Sequence, residues 1–397
     1  MQRCQKCLVP DTFPNTTIGT DGICNRCKEH TDFTYKGTDT LKTRLLWREG
    51  PQYDCVVPIS GGKDSTYALW VLRKEMGLRT LAVNHHNRMT SPMARDNINR
   101  ICEALDVDLL VVQTETDTER KFVYHFLKAM VPLGISWGIC TFCFYAIGSA
   151  VYRAATRHDI PSIAWAVTPY EMRPFFPTKR WDEMKFSDVN FNIKDHFKME
   201  FGPFLVDPLK KNASPLKLMN AARHLSLAMY YLVRQRTELY VPPFSNFFGL
   251  KPKLKDDRIK EFMLYQYVEY DARKIEETLR REIAWTTPAE RASTERYDCM
   301  VGAFNDVRWR NAYNVSMNTM FAAEQQRAGL VSRKKTESVI RESFDNNTYR
   351  KRMQNLFDAI GMRDLDIDDL LGAEPVLDLP EPVEPHIDQP SRGCARC

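Results

Sequence analysis

The sequence predicts an α/β protein in which a parallel sheet carries helices on both faces. Two observations support this fold class. Strand-like and helix-like segments alternate between residue 53 and about residue 170, and the turn SGGKDS joins the first strand-like run directly to a helical pattern. Two Cys-x-x-Cys pairs precede this region, and a long stretch with helical patterns follows it. Strands that alternate with helices form parallel sheets, which bind ligands at the carboxyl ends of their strands.

Four runs rich in β-branched residues have the length of strands, and helical patterns separate them. The strand-like runs are YDCVVPIS (53–60), RTLAVNH (79–85), DLLVVQT (108–114) and PSIAWAVT (161–168). The helical patterns are DSTYALWVLRKEM (64–76), MARDNINRICEAL (93–105), TERKFVYHFLKAM (118–130) and FCFYAIGSAVYRAATRH (142–158).

The length of 397 residues favours more than one structural unit. We predict a small Cys-rich unit over 1–35, the α/β domain over 50–205 and a mainly helical region over 206–372. Residues 373–397 hold prolines and acids and end in the pair Cys394 and Cys397, which is typical of a flexible tail.

Composition argues against a membrane protein. The N-terminus has no apolar segment of the kind found in secretory signals. The longest apolar run, 139–152, is shorter than the roughly 20 residues that span a bilayer. We therefore expect a cytoplasmic protein without membrane contact, and we expect a homo-oligomer. The net charge of +5 is mild and does not by itself indicate nucleic-acid binding.

Two stretches after the α/β region allow more than one interpretation. Residues 165–204 are rich in aromatic side chains, which either anchor loops in a core or form a lid over a substrate. Residues 208–255 carry nine Lys or Arg and a single acid, Glu238. This basic stretch is either a solvated helical face or a surface for a phosphate-bearing substrate.

The turn SGGKDS lies where a strand-like run passes into a helix. Backbone N–H groups and the helix dipole at such a point suit a phosphate or pyrophosphate, and glycines allow close approach. Lys63 can neutralise phosphate charge, and Asp64 can hold Mg²⁺. The expected ATP-binding residues here are Ser60, Gly61, Gly62, Lys63, Asp64 and Ser65, of which Lys63 and Asp64 are also catalytic candidates. The spacing is not that of a Walker A loop, and a tight turn that only begins a helix is the alternative.

Eleven cysteines are present, and eight of them form four Cys-x-x-Cys pairs. In a cytosolic chain such pairs indicate metal or redox chemistry rather than disulfides. A four-thiolate zinc site is predicted by the spacing C-x2-C-x16-C-x2-C of Cys4, Cys7, Cys24 and Cys27. Rubredoxin-like iron is the competing metal. A closed site of this kind is structural rather than catalytic.

The sequence SGGKDS after a first strand resembles the PP-loop of the N-type ATP pyrophosphatases. That resemblance covers about residues 53–168 and implies a HUP-like sheet, with Thr168 as a further ATP-binding residue. It also implies that ATP is cleaved to AMP and pyrophosphate while a substrate oxygen is adenylated. A nitrogen or sulfur nucleophile then displaces AMP.

The N-terminal sequence CQKCLVPDTFPNTTIGTDGICNRC, followed by a PP-loop, resembles the N-acetyl sugar amidotransferases of bacterial surface-polysaccharide (lipopolysaccharide) biosynthesis. The resemblance continues in patches to about residue 345, through NHHNRMTSPMARDNINRIC, the Cys140/Cys143 segment, ERYDC and RAGLVSRKKTESVIRE. It implies conversion of an N-acetylated nucleotide-sugar to an acetamidino sugar. It also implies a separate glutaminase and synthase pair that supplies ammonia.

Cys140, Cys143 and Cys299 are further catalytic candidates. Their order resembles that of PP-loop enzymes that thiolate RNA, where such cysteines hold a [4Fe–4S] cluster. A thiolate at the start of a helix also has a lowered pKa. The alternative function is therefore sulfur transfer to a tRNA or a small molecule. The non-functional interpretation is that these cysteines are small residues packed on a helix.

Some features depart from these families. Ala166 stands where such enzymes often carry glycine, and Tyr297 stands where a small hydroxyl residue is commoner. The acidic tail that ends in Cys394 and Cys397 matches neither family. A nucleotide-binding module without enzymatic activity is the third hypothesis.

Overall fold

The computed structural model describes residues 1–45, 52–113, 117–131, 139–175, 180–184, 214–239, 258–372 and 377–381. Most of the acidic tail, including its cysteine pair, lies outside these residues, as do most of the aromatic stretch and both ends of the basic stretch. Among the described helices, none combines the length and the apolar character needed to cross a membrane.

A five-stranded parallel sheet forms the centre of the fold, which confirms the predicted fold class at this level. Its strands are β1 (Cys55–Pro58), β2 (Thr80–His85), β3 (Asp108–Val112), β4 (Ser162–Trp165) and β5 (Lys260–Met263). They lie side by side in the order β3-β2-β1-β4-β5. In the register, Val56 is opposite Leu81 of β2 on one side and Ile163 of β4 on the other.

The fifth strand comes from a part of the chain that the sequence pattern predicts to be mainly helical. It has only four residues, KEFM, which is too short to show a period of two. Lys260 is exposed and Met263 is buried, as expected at the edge of a sheet. The sheet therefore joins residues from the predicted units 50–205 and 206–372.

Helices surround the sheet and form the rest of the fold. In chain order they are α1 (Asn25–Lys28), α2 (Thr38–Arg44), α3 (Lys63–Trp70), α4 (Pro92–Leu105), α5 (Thr118–Met130), α6 (Ile139–Arg157), α7 (Pro169–Met172), α8 (Pro215–Leu239), α9 (Ala272–Ile283), α10 (Val301–Tyr313), α11 (Met317–Arg327), α12 (Arg333–Ser343), α13 (Asn346–Ile360) and α14 (Ile367–Leu371). A π-helical segment, Val71–Glu75, continues α3. Short 3-10 turns cover Trp181–Glu183 and Leu264–Gln266.

The order of the strands fixes where the helices lie. The chain moves outward from β1 to β3 and then returns to place β4 on the other side of β1. Right-handed crossovers then put α3 and α4 on one face and α6 on the opposite face. Contacts agree with this, because α3 packs on β1 and β4 while α6 packs on β1, β2 and β4. The direction in which successive strands are added to the sheet reverses between β1 and β4. Such a switch point opens a crevice at the carboxyl ends of the strands.

A distant segment closes over this crevice. The N–H of Ser91 donates to the carbonyl of Asp298 (2.8 Å), and the N–H of Met300 donates to the carbonyl of Met89 (2.8 Å). Thr90 and Cys299 form an isolated antiparallel bridge between these two bonds. The segment 294–302 is thereby held beside the start of α4.

The N-terminal unit packs against the C-terminal helices rather than against the sheet. Its buried cysteines share a core with Trp309 of α10 and with Met320 and Phe321 of α11. The helix α11 therefore lies between this unit and the segment 294–302, and it contacts both.

Candidate functional site

The turn between β1 and α3 depends on its two glycines. Gly61 has a φ of +81°, which side chains other than glycine rarely adopt. A Cβ at Gly61 would lie 2.0 Å from the carbonyl oxygen of Ala94, so this glycine makes room for the backbone of α4. A Cβ at Gly62 would lie 3.1 Å from Oδ2 of Asp298. The second glycine thus allows the segment 294–302 to approach the turn.

Hydroxyl groups brace the turn from inside. The N–H of Ser60 donates to Oγ of Ser65 (3.1 Å), and the two hydroxyl oxygens lie 3.0 Å apart. The N–H of Gly62 donates to Oγ of Ser60 (3.3 Å). These bonds fix the backbone at the N-terminus of α3, where the first N–H groups of a helix have no partner within the helix.

The carbonyl of Gly61 is held from behind by buried side chains. It accepts hydrogen bonds from the hydroxyl of Tyr297 (2.6 Å) and from Nε1–H of Trp285 (3.2 Å). Nδ2 of the buried Asn97 donates to the same Tyr297 hydroxyl (2.8 Å). Burial and the nearby Asp298 raise the pKa of Tyr297, so its hydroxyl remains a donor. The hydrogen bond from Tyr297 to the Gly61 carbonyl gives a structural reason for a tyrosine at a position where the families that the sequence resembles carry a smaller residue.

A cavity of about 270 Å³ lies at the carboxyl ends of β1, β2 and β4. Most of the residues singled out in the sequence line it: Ser60, Gly62, Lys63, Asp64, Ser65, Cys140, Cys143 and Cys299. Three parts of the chain that are far apart in sequence therefore meet there, namely the turn, the start of α6 and the segment 294–302. Within the described residues, Gly61 and Thr168 are not part of the lining.

Thr168 has a local role at the start of α7. Its Oγ1 accepts a hydrogen bond from the N–H of Glu171 (3.2 Å), and the Glu171 carboxylate accepts from the N–H of Thr168 (3.3 Å). This capping box occupies the side chain of Thr168, which is 1% exposed. Glu171, rather than Thr168, lines the cavity.

The side chains of Lys63 and Asp64 differ in their contacts and therefore in the chemistry that each can support. The side chain of Lys63 is 1% exposed, and its Nζ lies 2.6 Å from Oε2 of Glu295 and 3.0 Å from Oδ2 of Asp64. Burial disfavours the ammonium, but the two carboxylates raise the pKa of Lys63 above its ordinary value. Oδ1 of Asp64 is buried and has no hydrogen-bond partner among the described residues. Burial raises the pKa of Asp64 in spite of the neighbouring lysine.

Four functional candidates in the cavity wall were not singled out by the sequence: Glu171, Glu295, Arg296 and Asp298. Oε1 of Glu295 accepts from Nε2 of Gln325 on α11 (3.0 Å), which ties this wall to the C-terminal helices. The motif ERYDC contains three of them, but its spacing carries no recognised chemistry. The pattern T-x-x-E at Thr168 indicates a helix start and nothing more.

The three candidate cysteines lie in the cavity wall beside amide side chains. Nδ2 of Asn305 donates to Sγ of Cys140 (3.0 Å), and Nδ2 of Asn87 donates to Sγ of Cys143 (3.2 Å). Burial raises the pKa of Cys143 and raises that of Cys299 to about 12. For Cys143 this direction is opposite to the lowered pKa expected near the start of a helix. In the described part of the chain, the sulfur atoms of these cysteines do not belong to a cluster of three or more possible metal ligands within 4.8 Å of one another.

A separate site that could hold a metal ion such as zinc lies in the N-terminal unit. The Sγ atoms of Cys4, Cys7, Cys24 and Cys27 all lie within 4.8 Å of one another. The Cys4–Cys27 and Cys7–Cys24 sulfur distances are 3.9 and 3.6 Å. These values fit tetrahedral zinc, because Zn–S bonds of about 2.3 Å place the sulfurs about 3.8 Å apart. Four cysteine side chains that are all buried and face one another also fit a metal site rather than free cysteines.

Basic side chains from elsewhere in the chain surround these sulfurs. Nη2 of Arg327 on α11 donates to Sγ of Cys7 (3.1 Å), and the guanidinium also pairs with Glu324 (2.6 Å). A zinc ion with four thiolates carries two negative charges, so a buried arginine beside it reduces the cost of burial.

Comparisons with known proteins add little. No family model matches the chain. A stretch of 70 residues, 18% of this chain, is 33% identical to uncharacterized protein MJ1599 of Methanocaldococcus jannaschii. The chain spans about a quarter of the length of that relative, since the match covers 25% of it. Function must therefore be argued from the site itself.

Proposed function

We propose that this chain is an ATP-dependent, AMP-forming enzyme of the PP-loop type. In this proposal a HUP-like domain adenylates a substrate oxygen, and nitrogen then replaces that oxygen. The substrate proposed is an N-acetylated nucleotide-sugar, which becomes an acetamidino sugar. A separate glutaminase and synthase pair supplies the ammonia.

One observation carries the proposal. The turn SGGKDS lies at the switch point of a parallel sheet and opens into a cavity lined by Asp64, whose Oδ1 has no hydrogen-bond partner among the described residues. Helix N-termini favour phosphate groups, and carboxylate oxygens favour Mg²⁺. A helix N-terminus and a carboxylate together therefore suit a nucleotide bound with magnesium.

The chemistry balances without a further cofactor. The acetamido oxygen attacks the α-phosphorus of ATP, and pyrophosphate leaves. The ammonia nitrogen then forms a bond to the activated carbon, and the carbon–oxygen bond to AMP breaks. AMP leaves with that electron pair and is a far better leaving group than hydroxide. The protein contributes mainly by positioning and by charge stabilisation.

The test is turnover of Mg·ATP with ammonium chloride and a panel of nucleotide-sugars with and without an N-acetyl group. We expect AMP, pyrophosphate and a product in which NH replaces oxygen, detected by mass spectrometry. Asp64→Asn should abolish pyrophosphate release while the fold remains. Asp96→Asn removes an exposed carboxylate on α4 and should behave as wild type. Full activity of the Asp64→Asn variant would remove the role proposed for Asp64.

A sulfurtransferase is the second candidate, because Cys140, Cys143 and Cys299 line the same cavity. Here a sulfur nucleophile would displace AMP from a tRNA or a small molecule. A [4Fe–4S] cluster held by these cysteines would supply the sulfur-binding iron. Metal and sulfide analysis with a visible spectrum, on protein purified without oxygen, decides between the two. Iron and sulfide that are lost in Cys140→Ser favour sulfur transfer, whereas zinc without iron favours nitrogen transfer.

A further inference from the structure

Arg296 places a charged group in the wall of the cavity, and the described residues give it no ion-pair partner. The residue lines the cavity, and its Nε is buried with no hydrogen-bond partner in the described part of the chain. No described carboxylate lies within the 4.0 Å that defines an ion pair with this guanidinium. Buried arginines are normally paired, because an uncompensated buried charge is costly.

The other cation of the cavity is already neutralised. Nζ of Lys63 contacts the carboxylates of Asp64 and Glu295 and is almost completely buried. Two of the three N–H donors of Lys63 are engaged and its charge is compensated by the two carboxylates, so an incoming anion gains little from it. Arg296 has no such compensating contact, and its five donors match the oxygens of a phosphate group.

The arginine is also held in place. Its backbone φ is +48°, a conformation that is strained for a residue with a side chain. A Cβ at Gly302 would lie 3.0 Å from the Arg296 carbonyl oxygen, so the chain folds tightly over it. The guanidinium lies over the ring of Phe321 on α11, with its carbon 5.3 Å from the ring centroid. Such strain is typical of functional positions that the surrounding structure fixes.

Nearby acids keep this arginine charged without neutralising it by contact. Burial disfavours the charge, but Glu171 and other acidic groups of the wall raise the pKa of Arg296 above its ordinary value. The segment that carries it also carries Asp298, which lies against Gly62 of the turn. Arg296 and the residues of the turn at the N-terminus of α3 therefore line the same cavity.

We propose that Arg296 is the residue that binds the phosphate oxygens of the nucleoside triphosphate in this cavity, and that Lys63 instead holds the turn to Glu295. The inference rests on the proposed function for the identity of the ligand. In turnover, Arg296 would stabilise the negative charge that develops on the phosphates as pyrophosphate leaves.

The experiment measures binding of inorganic pyrophosphate, ATP and adenosine to the full chain by calorimetry in the presence of Mg²⁺. We expect Arg296→Gln to weaken pyrophosphate and ATP binding about ten- to a hundredfold, the range for hydrogen bonds to a charged group. Adenosine binding should be unchanged. Arg296→Lys should restore part of the affinity, because lysine keeps the charge but not the fork of donors. Arg281→Gln, which removes an exposed arginine on α9, should bind as wild type.

The outcomes separate this inference from the proposed function. Equal affinity of Arg296→Gln and wild type for both phosphate ligands overturns the inference and leaves the proposed function in place. Pyrophosphate binding that depends on Arg296, in a protein that does not turn over ATP, supports the inference and overturns the proposed function. A wild-type protein that binds neither ligand overturns both.

Discussion

The ammonium of Lys63 lies 2.6 Å from the carboxylate of Glu295, although the two residues are 232 positions apart. Both side chains are buried, at 1% and 8% exposure. The contact fastens the first residue of α3 to the segment that carries Arg296, Asp298 and Cys299. It therefore joins the two walls of the cavity.

Glu295→Gln should destabilise the protein by about 3 kcal/mol, because it leaves a buried lysine with only Asp64 as a counter-charge. Urea unfolding measures the free energy of unfolding. Glu282→Gln is the control, since Glu282 pairs with Arg281 on the surface at 2.9 Å. Exposed pairs contribute less than about 1 kcal/mol. If the two variants lose equal stability, the buried pair does not hold the walls together.

Gly61→Ala should cost at least about 3 kcal/mol, since a positive φ and an overlap with packed backbone add to each other. The new Cβ would lie 2.0 Å from the carbonyl oxygen of Ala94. Gly77→Ala is the matched control, because Gly77 has a φ of +69° and open space where its Cβ would lie. That variant should lose only the conformational term of about 1 kcal/mol. Thermal unfolding of both variants checks the difference, and equal losses would show that α4 can move away.

Local sequence was sufficient to predict most of the sheet and the position of the turn. Each of the four β-branched runs contains a strand, because buried parallel strands are rich in such residues. The edge strand β5 was missed since it is short and begins with Lys260 and Glu261. A period of two cannot be read from four residues.

The second wall of the cavity was beyond local sequence. Nothing near Glu295 or Arg296 indicates that these residues meet a turn more than 200 positions earlier, since |i−j| is 232 for the contact with Lys63. The contact results from tertiary packing of 294–302 against α4 and α11. The sequence predicts that Lys63 neutralises phosphate charge, and local sequence gives no sign of the Glu295 contact that the structure adds.

Removal of the metal from the N-terminal unit should destabilise the C-terminal helices as well. We expect Cys7→Ser to lose the bound metal and to lower the Tm by about 5 °C or more, because the unit covers Trp309 and Phe321. Trp309 is 7% exposed, so loss of the unit should shift its fluorescence. Cys102→Ser, a buried cysteine of α4 outside the metal site, should retain the metal.

Metal analysis of the same samples identifies the ion. One zinc per chain is expected, and iron with a red colour would indicate the rubredoxin-like alternative instead. A Cys7→Ser protein with wild-type Tm and fluorescence would show that the unit does not support α10 and α11.

Tyr297→Phe should affect the turn more than it affects the stability of the fold. The hydroxyl of Tyr297 donates to the carbonyl of Gly61 at 2.6 Å, and Trp285 donates to the same carbonyl at 3.2 Å. The free energy of unfolding should therefore fall by only about 1 kcal/mol, because Trp285 and, at 3.5 Å, Nδ2 of Asn97 remain as donors to this carbonyl. Tyr53→Phe is the control, since its hydroxyl donates to Asp108 at 2.6 Å, far from the turn.

Both variants should lose similar stability in urea, whereas only Tyr297→Phe should slow pyrophosphate release. The reason is geometric: the Gly61 carbonyl belongs to the turn whose N–H groups would hold the phosphates, and small displacements of such groups reduce catalysis strongly. A Tyr297→Phe protein that releases pyrophosphate at the wild-type rate would mean that Trp285 and Asn97 hold the turn without the tyrosine. In that case it makes no difference to the reaction that Tyr297 stands where the families that the sequence resembles carry a smaller residue.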